Sequence, residues 1–126
     1  MSKEELERYL EKGYHFGFEK KSEDEAYFGW ISLEKQKVAN KFFERFTYED
    51  NPSAYEYQQS IKNKPYLLRI AELSIAVYES DRYPIKQDYR LNEAYRFENI
   101  DEVSRFINGY GFLLEDIKWL SEIKTD

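Results

Sequence analysis

Polar and apolar residues at the start of the chain alternate with the period of a helix. Three apolar positions fall on one helical face: Leu6, Tyr9 and Leu10. Ser2 and Glu5 have the spacing of a capping box, in which two side chains satisfy free backbone N–H groups at a helix start. Gly13 is a typical helix stop. The pattern predicts a helix over residues 2–12.

The rhythm then changes to the period of two that is typical of strands. Tyr14, Phe16 and Phe18 alternate with smaller or polar residues, and a charged stretch follows at residues 19–25. Residues 26–31, with the sequence AYFGWI, predict a return strand. We therefore predict that residues 14–18 and 26–31 pair as an antiparallel hairpin rich in aromatic side chains.

Two helices are predicted in the middle of the chain. Residues 33–46, which Ser32 can cap, place five apolar side chains on one face: Val38, Ala39, Phe42, Phe43 and Phe46. Residues 47–53 indicate a loop, because Asn51-Pro52 is turn chemistry and the residue before a proline avoids the helical region. A shorter helix is predicted over Pro52–Asn63.

A strongly apolar stretch covers residues 66–78. Arg69, Glu72 and Glu79 are separated by three and seven residues, which favours a largely buried helix over a strand. The β-branched residues Ile70, Ile75 and Val77 leave the strand as an alternative. Residues 80–88 indicate a loop.

The last third of the chain predicts one clear helix. Asn99 and Glu102 form a capping pair and Gly109 marks the end, while residues 91–97 and 112–120 are compatible with strand or helix. We prefer a strand–helix–strand unit over residues 92–119. Together the elements predict one α+β domain over residues 1–126, with four or five helices and a small antiparallel sheet that includes the aromatic hairpin.

Charge narrows the range of partners. The chain carries 25 acidic and 19 basic residues, a net charge of −6, and no basic cluster. Nucleic-acid binding needs an electropositive surface, so we expect no direct contact with DNA or RNA but a basic protein partner instead. The apolar runs are too short to span a membrane and cysteine is absent. We expect a cytoplasmic protein without membrane contact, as a monomer or weak homo-oligomer.

Motifs for catalysis or metal binding are missing from the sequence. His15 is the single histidine, and without cysteine it cannot complete the usual transition-metal ligand set. Adjacent acids such as Asp101 and Glu102 are typical of helix starts. Gly13 and Gly17 lack the preceding strand and the Lys-Ser/Thr pair of a phosphate-binding loop. We therefore predict a protein that is not an enzyme, with no catalytic residue, no metal and no cofactor.

Aromatic residues make up 18% of the chain, and twelve of them are tyrosines. Tyrosine suits protein interfaces because it buries a large ring and keeps a polar tip, although local packing of the rings is an alternative. Two partner-binding surfaces are predicted. The first comprises Tyr48, Glu49, Asp50, Tyr55 and Glu56. The second is the turn of Glu23, Asp24 and Glu25, which we rank lower because no apolar area accompanies its charge.

These features resemble a class of proteins in composition. A single small domain without cysteine, a net charge of −6 and clusters such as residues 23–25 and 47–50 resemble the small acidic inhibitors of phages and mobile elements, such as anti-CRISPR proteins and other nucleic-acid mimics. The resemblance implies a non-enzymatic module that binds and blocks a basic nucleic-acid-binding defence protein or nuclease. Two alternatives stay open: an immunity protein against a nuclease toxin, and a small-molecule-binding or enzymatic domain with an aromatic pocket.

Overall fold

A computed structural model describes residues 1–37 and 51–123, apart from the side chain of Glu122. In this part of the chain the regular elements are α1 (Lys3–Glu11), β1 (Phe16–Lys20), β2 (Tyr27–Lys35), α2 (Pro52–Asn63), β3 (Tyr66–Ser74), α3 (Ile75–Tyr78), β4 (Tyr89–Phe97), α4 (Ile100–Asn108) and β5 (Lys118–Trp119). Short 3-10 turns cover Lys86–Asp88, Leu114–Asp116 and Leu120–Glu122. The predicted α+β fold with a small antiparallel sheet is confirmed.

The five strands form one sheet in the order β4-β3-β2-β1-β5, and all neighbouring strands are antiparallel. The predicted hairpin of β1 and β2 is confirmed, with Phe16 opposite Leu33 and Lys20 opposite Gly29. Gly17 permits this close pairing, because a Cβ atom there would lie 2.2 Å from the backbone oxygen of Ile31. The hairpin therefore depends on a glycine inside its first strand.

The helix predicted over residues 66–78 is wrong. Residues Tyr66–Ser74 form β3, which pairs with β2 on one side and β4 on the other, and only Ile75–Tyr78 are helical. Nearly all side chains of β3 are buried, so the strand lacks the alternation that identifies a half-exposed strand. Ser74 then starts α3, since its hydroxyl accepts the backbone N–H of Val77 at 3.5 Å.

The two predicted middle helices have different outcomes. The first cannot start at residue 33, because β2 continues to Lys35 and buries Leu33 between Phe16 and Leu68. Residues 38–46 of that prediction, and residues 47–50 of the predicted loop, lie outside the described residues. The second helix is confirmed as α2, with Asn51 as its N-cap accepting the N–H of Ala54 at 3.1 Å.

The strand–helix–strand unit at the end of the chain is confirmed in its order, but its last strand is only Lys118–Trp119 and follows a 3-10 turn at Leu114–Asp116. β4 and β5 lie at opposite edges of the sheet, and α4 connects them across one face. The core lies between this face of the sheet and the two helices α1 and α4. Its largest fully buried side chains include Leu6, Leu10, Phe16, Ile31, Leu68, Ile70, Val103 and Ile107. Each such side chain contributes about 1.5–3 kcal/mol to folding. The first predicted helix, α1, is confirmed with Ser2 as its N-cap.

Candidate protein-interaction site

One end of the sheet gathers the acidic turn and the connection between β3 and β4. Tyr27 pairs with Ser74, the N–H of Ile75 donates to the oxygen of Ala26 at 2.9 Å, and Leu73 pairs with Tyr89. Residues 19–26 and 75–90 therefore lie together, and we call this surface the hairpin end.

A buried carboxylate anchors the hairpin end to the sheet. Glu72 on β3 is only 2% exposed, and its two oxygens are engaged by three donors. Lys20 Nζ lies 3.0 Å from Oε2, Arg90 Nη1 lies 2.7 Å from Oε1, and the hydroxyl of Ser22 donates to Oε1. One side chain thus connects β1, β3, β4 and the turn.

The environment of Glu72 favours its charged form. Burial alone would raise its pKa, but the hydrogen bonds from Ser22, Lys20 and Arg90 outweigh that effect and hold the pKa of Glu72 below its ordinary value. A carboxylate ionised at neutral pH and bonded to three donors is occupied by its own network. This arrangement positions the turn and does not resemble a poised general base.

The turn predicted as the second binding surface is exposed at all three acids. Glu23 Oε2 lies 3.4 Å from Arg90 Nη2, and Asp24 Oδ1 accepts the N–H of Ala26 at 2.9 Å. Glu25 has no ion pair with any described residue. Two of the three acids therefore also shape the turn, and Glu25 faces solvent without such a role.

The loop that follows α3 presents apolar side chains to solvent. Tyr83 is 90% exposed and Ile85 is 55% exposed. Arg82 spans the loop to Asp88 in a two-pronged ion pair of 2.8 and 3.0 Å, and Asp88 Oδ2 also accepts the N–H of Ile85 at 2.7 Å. The Arg82 guanidinium, helped by that N–H, holds the pKa of Asp88 below its usual range. The ion pair clamps the loop around its exposed tip.

The hairpin end keeps a negative excess once its internal pairs are set aside. Lys20, Arg82 and Arg90 are each paired with a carboxylate. The charged residues there without an ion pair to a described residue are Glu19, Asp24, Glu25, Glu79, Asp81, Lys21 and Lys86. Five acids against two bases make this surface complementary to a basic partner.

A cleft of about 730 Å³ opens beside the hairpin end. Phe28, Gly29, Ile75, Tyr78 and Ile123 line it together with four charged residues, Glu19, Glu79, Lys20 and Lys21. The rings of Phe28 and Tyr78 meet edge to face with centroids 4.6 Å apart. The cleft therefore combines half-buried aromatic surface with exposed charge.

The surface that the sequence ranked first is only partly described. Tyr48, Glu49 and Asp50 lie outside the described residues, while Tyr55 is half-buried and Glu56 is exposed on α2. α2 ends at Asn63, three residues before Tyr66, which pairs with Lys35 at the end of the sheet opposite the turn. The nine residues of β3 separate those ends by roughly 26 Å.

Sequence reasoning missed the clamped loop as a site. It counted Tyr83 among the tyrosines of predicted loops and Asp88 among the acids beside them, but gave Arg82 no role. A useful signal was present, since oppositely charged residues flank the short apolar segment Tyr83-Pro84-Ile85. In the structure, Tyr83 and Ile85 of this loop supply exposed apolar area at the hairpin end, which the acidic turn itself lacks.

Other chemistry is sparse in the described part of the chain. Among residues 1–37 and 51–123, no three His, Asp or Glu side chains are grouped to hold a metal ion. His15 is exposed, with Nε2 3.1 Å from Glu34 Oε2. None of the described helices is long and apolar enough to cross a membrane.

Comparison of the chain with models of protein families, with curated proteins and with solved structures gives no match.

Proposed function

We propose that this protein is a non-enzymatic acidic binding module that covers a basic surface of another protein through its hairpin end. The observation that carries the proposal is the clamped loop, where Tyr83 and Ile85 stand exposed beside acids that have no internal ion pair. Interfaces combine a few apolar or aromatic anchors with a polar rim, and the hairpin end offers both.

The clamp favours binding because it reduces the cost of ordering the loop. Association is opposed by the loss of loop and side-chain freedom, and a segment held in place beforehand loses less of it. Arg82 and Asp88 hold the loop through two N–H···O contacts. The backbone that carries Tyr83 is therefore already ordered before a partner binds. The unpaired acids around it increase the rate of encounter with a basic surface.

The partner that fits this charge is a nucleic-acid-binding protein, whose own ligand is polyanionic. An acidic module that covers the nucleic-acid site acts as an inhibitor, in the manner of the anti-CRISPR proteins that the composition resembles. The net charge of −6 and the negative excess of the hairpin end support this proposal. It assigns the protein to the cytoplasm, as a monomer or weak homo-oligomer.

Affinity capture with matched baits tests the proposal. The full chain, a Tyr83→Ala/Ile85→Ala double variant and a Leu113→Ala control serve as baits in a lysate of the host cells. Leu113 is 51% exposed and lies outside the hairpin end, so its truncation removes apolar surface of a similar kind. We expect the full chain and the control to capture a basic nucleic-acid-binding protein that the double variant loses, and calorimetry with the purified partner to reproduce the difference.

Three results would count against the proposal. Equal capture by the double variant would show that the hairpin end is not the interface. Capture without any basic nucleic-acid-binding protein would refute the inhibitory role itself. A purified partner that still binds its nucleic acid in the presence of the module would refute the blocking mechanism.

A second function is favoured by the cleft beside Phe28 and Tyr78. Half-buried aromatic surface with a few polar groups is typical of small-molecule sites. In that case a thermal-shift screen of nucleotides and other metabolites would raise the melting temperature, and Phe28→Leu would remove the rise. We rank this second, because Lys20 is paired with Glu72 and the lining then holds two unpaired carboxylates against one unpaired lysine, which disfavours anionic metabolites.

A further inference from the structure

We infer that the cleft beside Phe28 and Tyr78 receives an arginine side chain of the partner. This inference deepens the proposed function and rests on it, since it names the group that the acidic module recognises. Six of the nine residues that line the cleft belong to the hairpin end, namely Glu19, Lys20, Lys21, Ile75, Tyr78 and Glu79. The cleft is therefore part of the surface that we propose for the partner.

The aromatic lining of the cleft suits a flat cation with an apolar stem. Phe28 stacks on Trp30 with centroids 5.3 Å apart, and Tyr78 meets Phe28 edge to face. These contacts fix the ring of Phe28, which remains half-buried at the cleft. A guanidinium stacks on such a ring, and its methylene stem packs on apolar surface such as Ile75.

Two carboxylates of the lining supply the opposite charge. Glu19 and Glu79 both line the cleft, both are exposed, and neither forms an ion pair with a described residue. A carboxylate accepts two parallel N–H groups from one guanidinium, which gives arginine a geometry that lysine lacks. The cleft thus favours arginine over lysine.

The two lysines of the lining do not reverse this preference. Lys20 Nζ lies 3.0 Å from the buried carboxylate of Glu72, so its charge is already compensated. Lys21 is exposed and unpaired among the described residues, and it opposes a cation. Two carboxylates outweigh that single lysine, and the same two carboxylates would repel a phosphate group.

The sign of the effect at Lys21 separates a cation site from an anion site. A bound arginine gains affinity when Lys21 is replaced by alanine, whereas a bound phosphate loses affinity. Glu79→Gln has the opposite sign, because it removes an attraction for the cation and a repulsion for the anion. Neither residue lies in the core, so both variants leave the fold intact.

Nuclear magnetic resonance titration of the full chain with N-acetyl-arginine amide tests the inference. We expect millimolar binding with shifts confined to the cleft, led by the amides of Gly29 and Glu79. Glu79→Gln should weaken binding about two- to fivefold and Lys21→Ala should strengthen it about twofold, as for exposed charge pairs. Glu115→Gln, an exposed acid outside the cleft, is the matched control and should change nothing.

N-acetyl-lysine amide and adenosine monophosphate are the comparison probes. Equal binding of the lysine probe would overturn the choice of arginine. Binding of the nucleotide in the cleft, weakened by Lys21→Ala, would overturn the cation site, as would the absence of shifts with the arginine probe. These outcomes are independent of the capture experiment, which depends on Tyr83 and Ile85, so failure of one proposal is distinguishable from failure of the other.

Discussion

Arg90 Nη1 lies 2.7 Å from Glu72 Oε1, and the same guanidinium places Nη2 3.4 Å from Glu23 Oε2. A buried acid on β3 and an exposed acid of the turn therefore share one arginine. Lys20 and Ser22 bond to the same buried carboxylate from the β1 side. The network joins the hairpin end to the sheet, so the position of the binding surface depends on a residue that a partner does not touch.

Removal of that carboxylate should destabilise the fold. In Glu72→Ala, Lys20 and Arg90 lose their counter-charge and Ser22 loses its acceptor, and we expect the free energy of unfolding to fall by about 2–3 kcal/mol. Urea unfolding followed by circular dichroism measures the change. Glu25→Ala is the control, because Glu25 has no ion pair with a described residue. Equal stability of the two variants would show that the network does not support the fold.

Stability should fall in acid, and Glu72 should contribute to the slope. The pKa of Glu72 lies below its ordinary value of 4.5 in the folded protein, so the unfolded chain binds the proton more tightly. The contribution of Glu72 is therefore complete above pH 4.5 and is lost as the pH falls through the folded pKa. Lys35 and Lys37 likewise lower the pKa of Glu11 to about 2, so Glu11 also loses its contribution as the pH falls from 4.5 through about 2.

Urea unfolding at a series of pH values between neutrality and strong acid measures this slope. Glu72→Gln cannot titrate at that position, so its stability should depend less steeply on pH below 4.5 than that of the parent chain. A residual slope from Glu11 and Asp88 remains in both proteins. Parallel curves for the two proteins would contradict the assignment to Glu72.

The helices that expose one face to solvent could be predicted from the sequence, whereas the inner strand β3 could not. α1, α2 and α4 expose one side to solvent and carry capping residues, so their periodicity and ends were readable. β3 is buried on both faces, and its few polar residues happened to have helical spacing. One of them, Glu72, is polar because it completes a network of distant residues, which no local pattern reveals.

The candidate site was readable only in part for the same reason. Charge and exposure of the turn are local properties, and Glu23, Asp24 and Glu25 are indeed exposed. The apolar anchors come from a loop some 60 residues later in the chain, at Tyr83 and Ile85. Antiparallel pairing of β2 with β3 brings these segments to one end of the sheet. Sequence alone did not show that pairing, because β3 was not recognised as a strand.

Loosening the clamp should release the loop without unfolding the domain. Arg82→Ala removes both contacts to Asp88, which are exposed and lie outside the core. We expect faster proteolytic cleavage and faster amide hydrogen exchange within residues 81–88, because the loop backbone gains freedom. The melting temperature should stay close to that of the parent chain. Lys86→Ala, which removes an unpaired cation of the same loop, should leave both rates unchanged, and faster exchange in that control would show that the ion pair is not what holds the loop.

Binding kinetics should separate the anchors of the hairpin end from its charges and from the other predicted surface. Tyr83→Ala removes a side chain that is 90% exposed, so folding is spared while the partner complex dissociates faster. Glu25→Lys changes a rim charge, so association should slow and lose its dependence on salt, with little change in dissociation. Tyr55→Ala reports on the surface that the sequence ranked first, at α2. Surface plasmon resonance with the purified partner at low and physiological salt measures all three. Faster dissociation of Tyr55→Ala, with an unchanged dissociation rate for Tyr83→Ala, would move the interface to α2, because truncation of a side chain speeds dissociation only where that side chain contacts the partner.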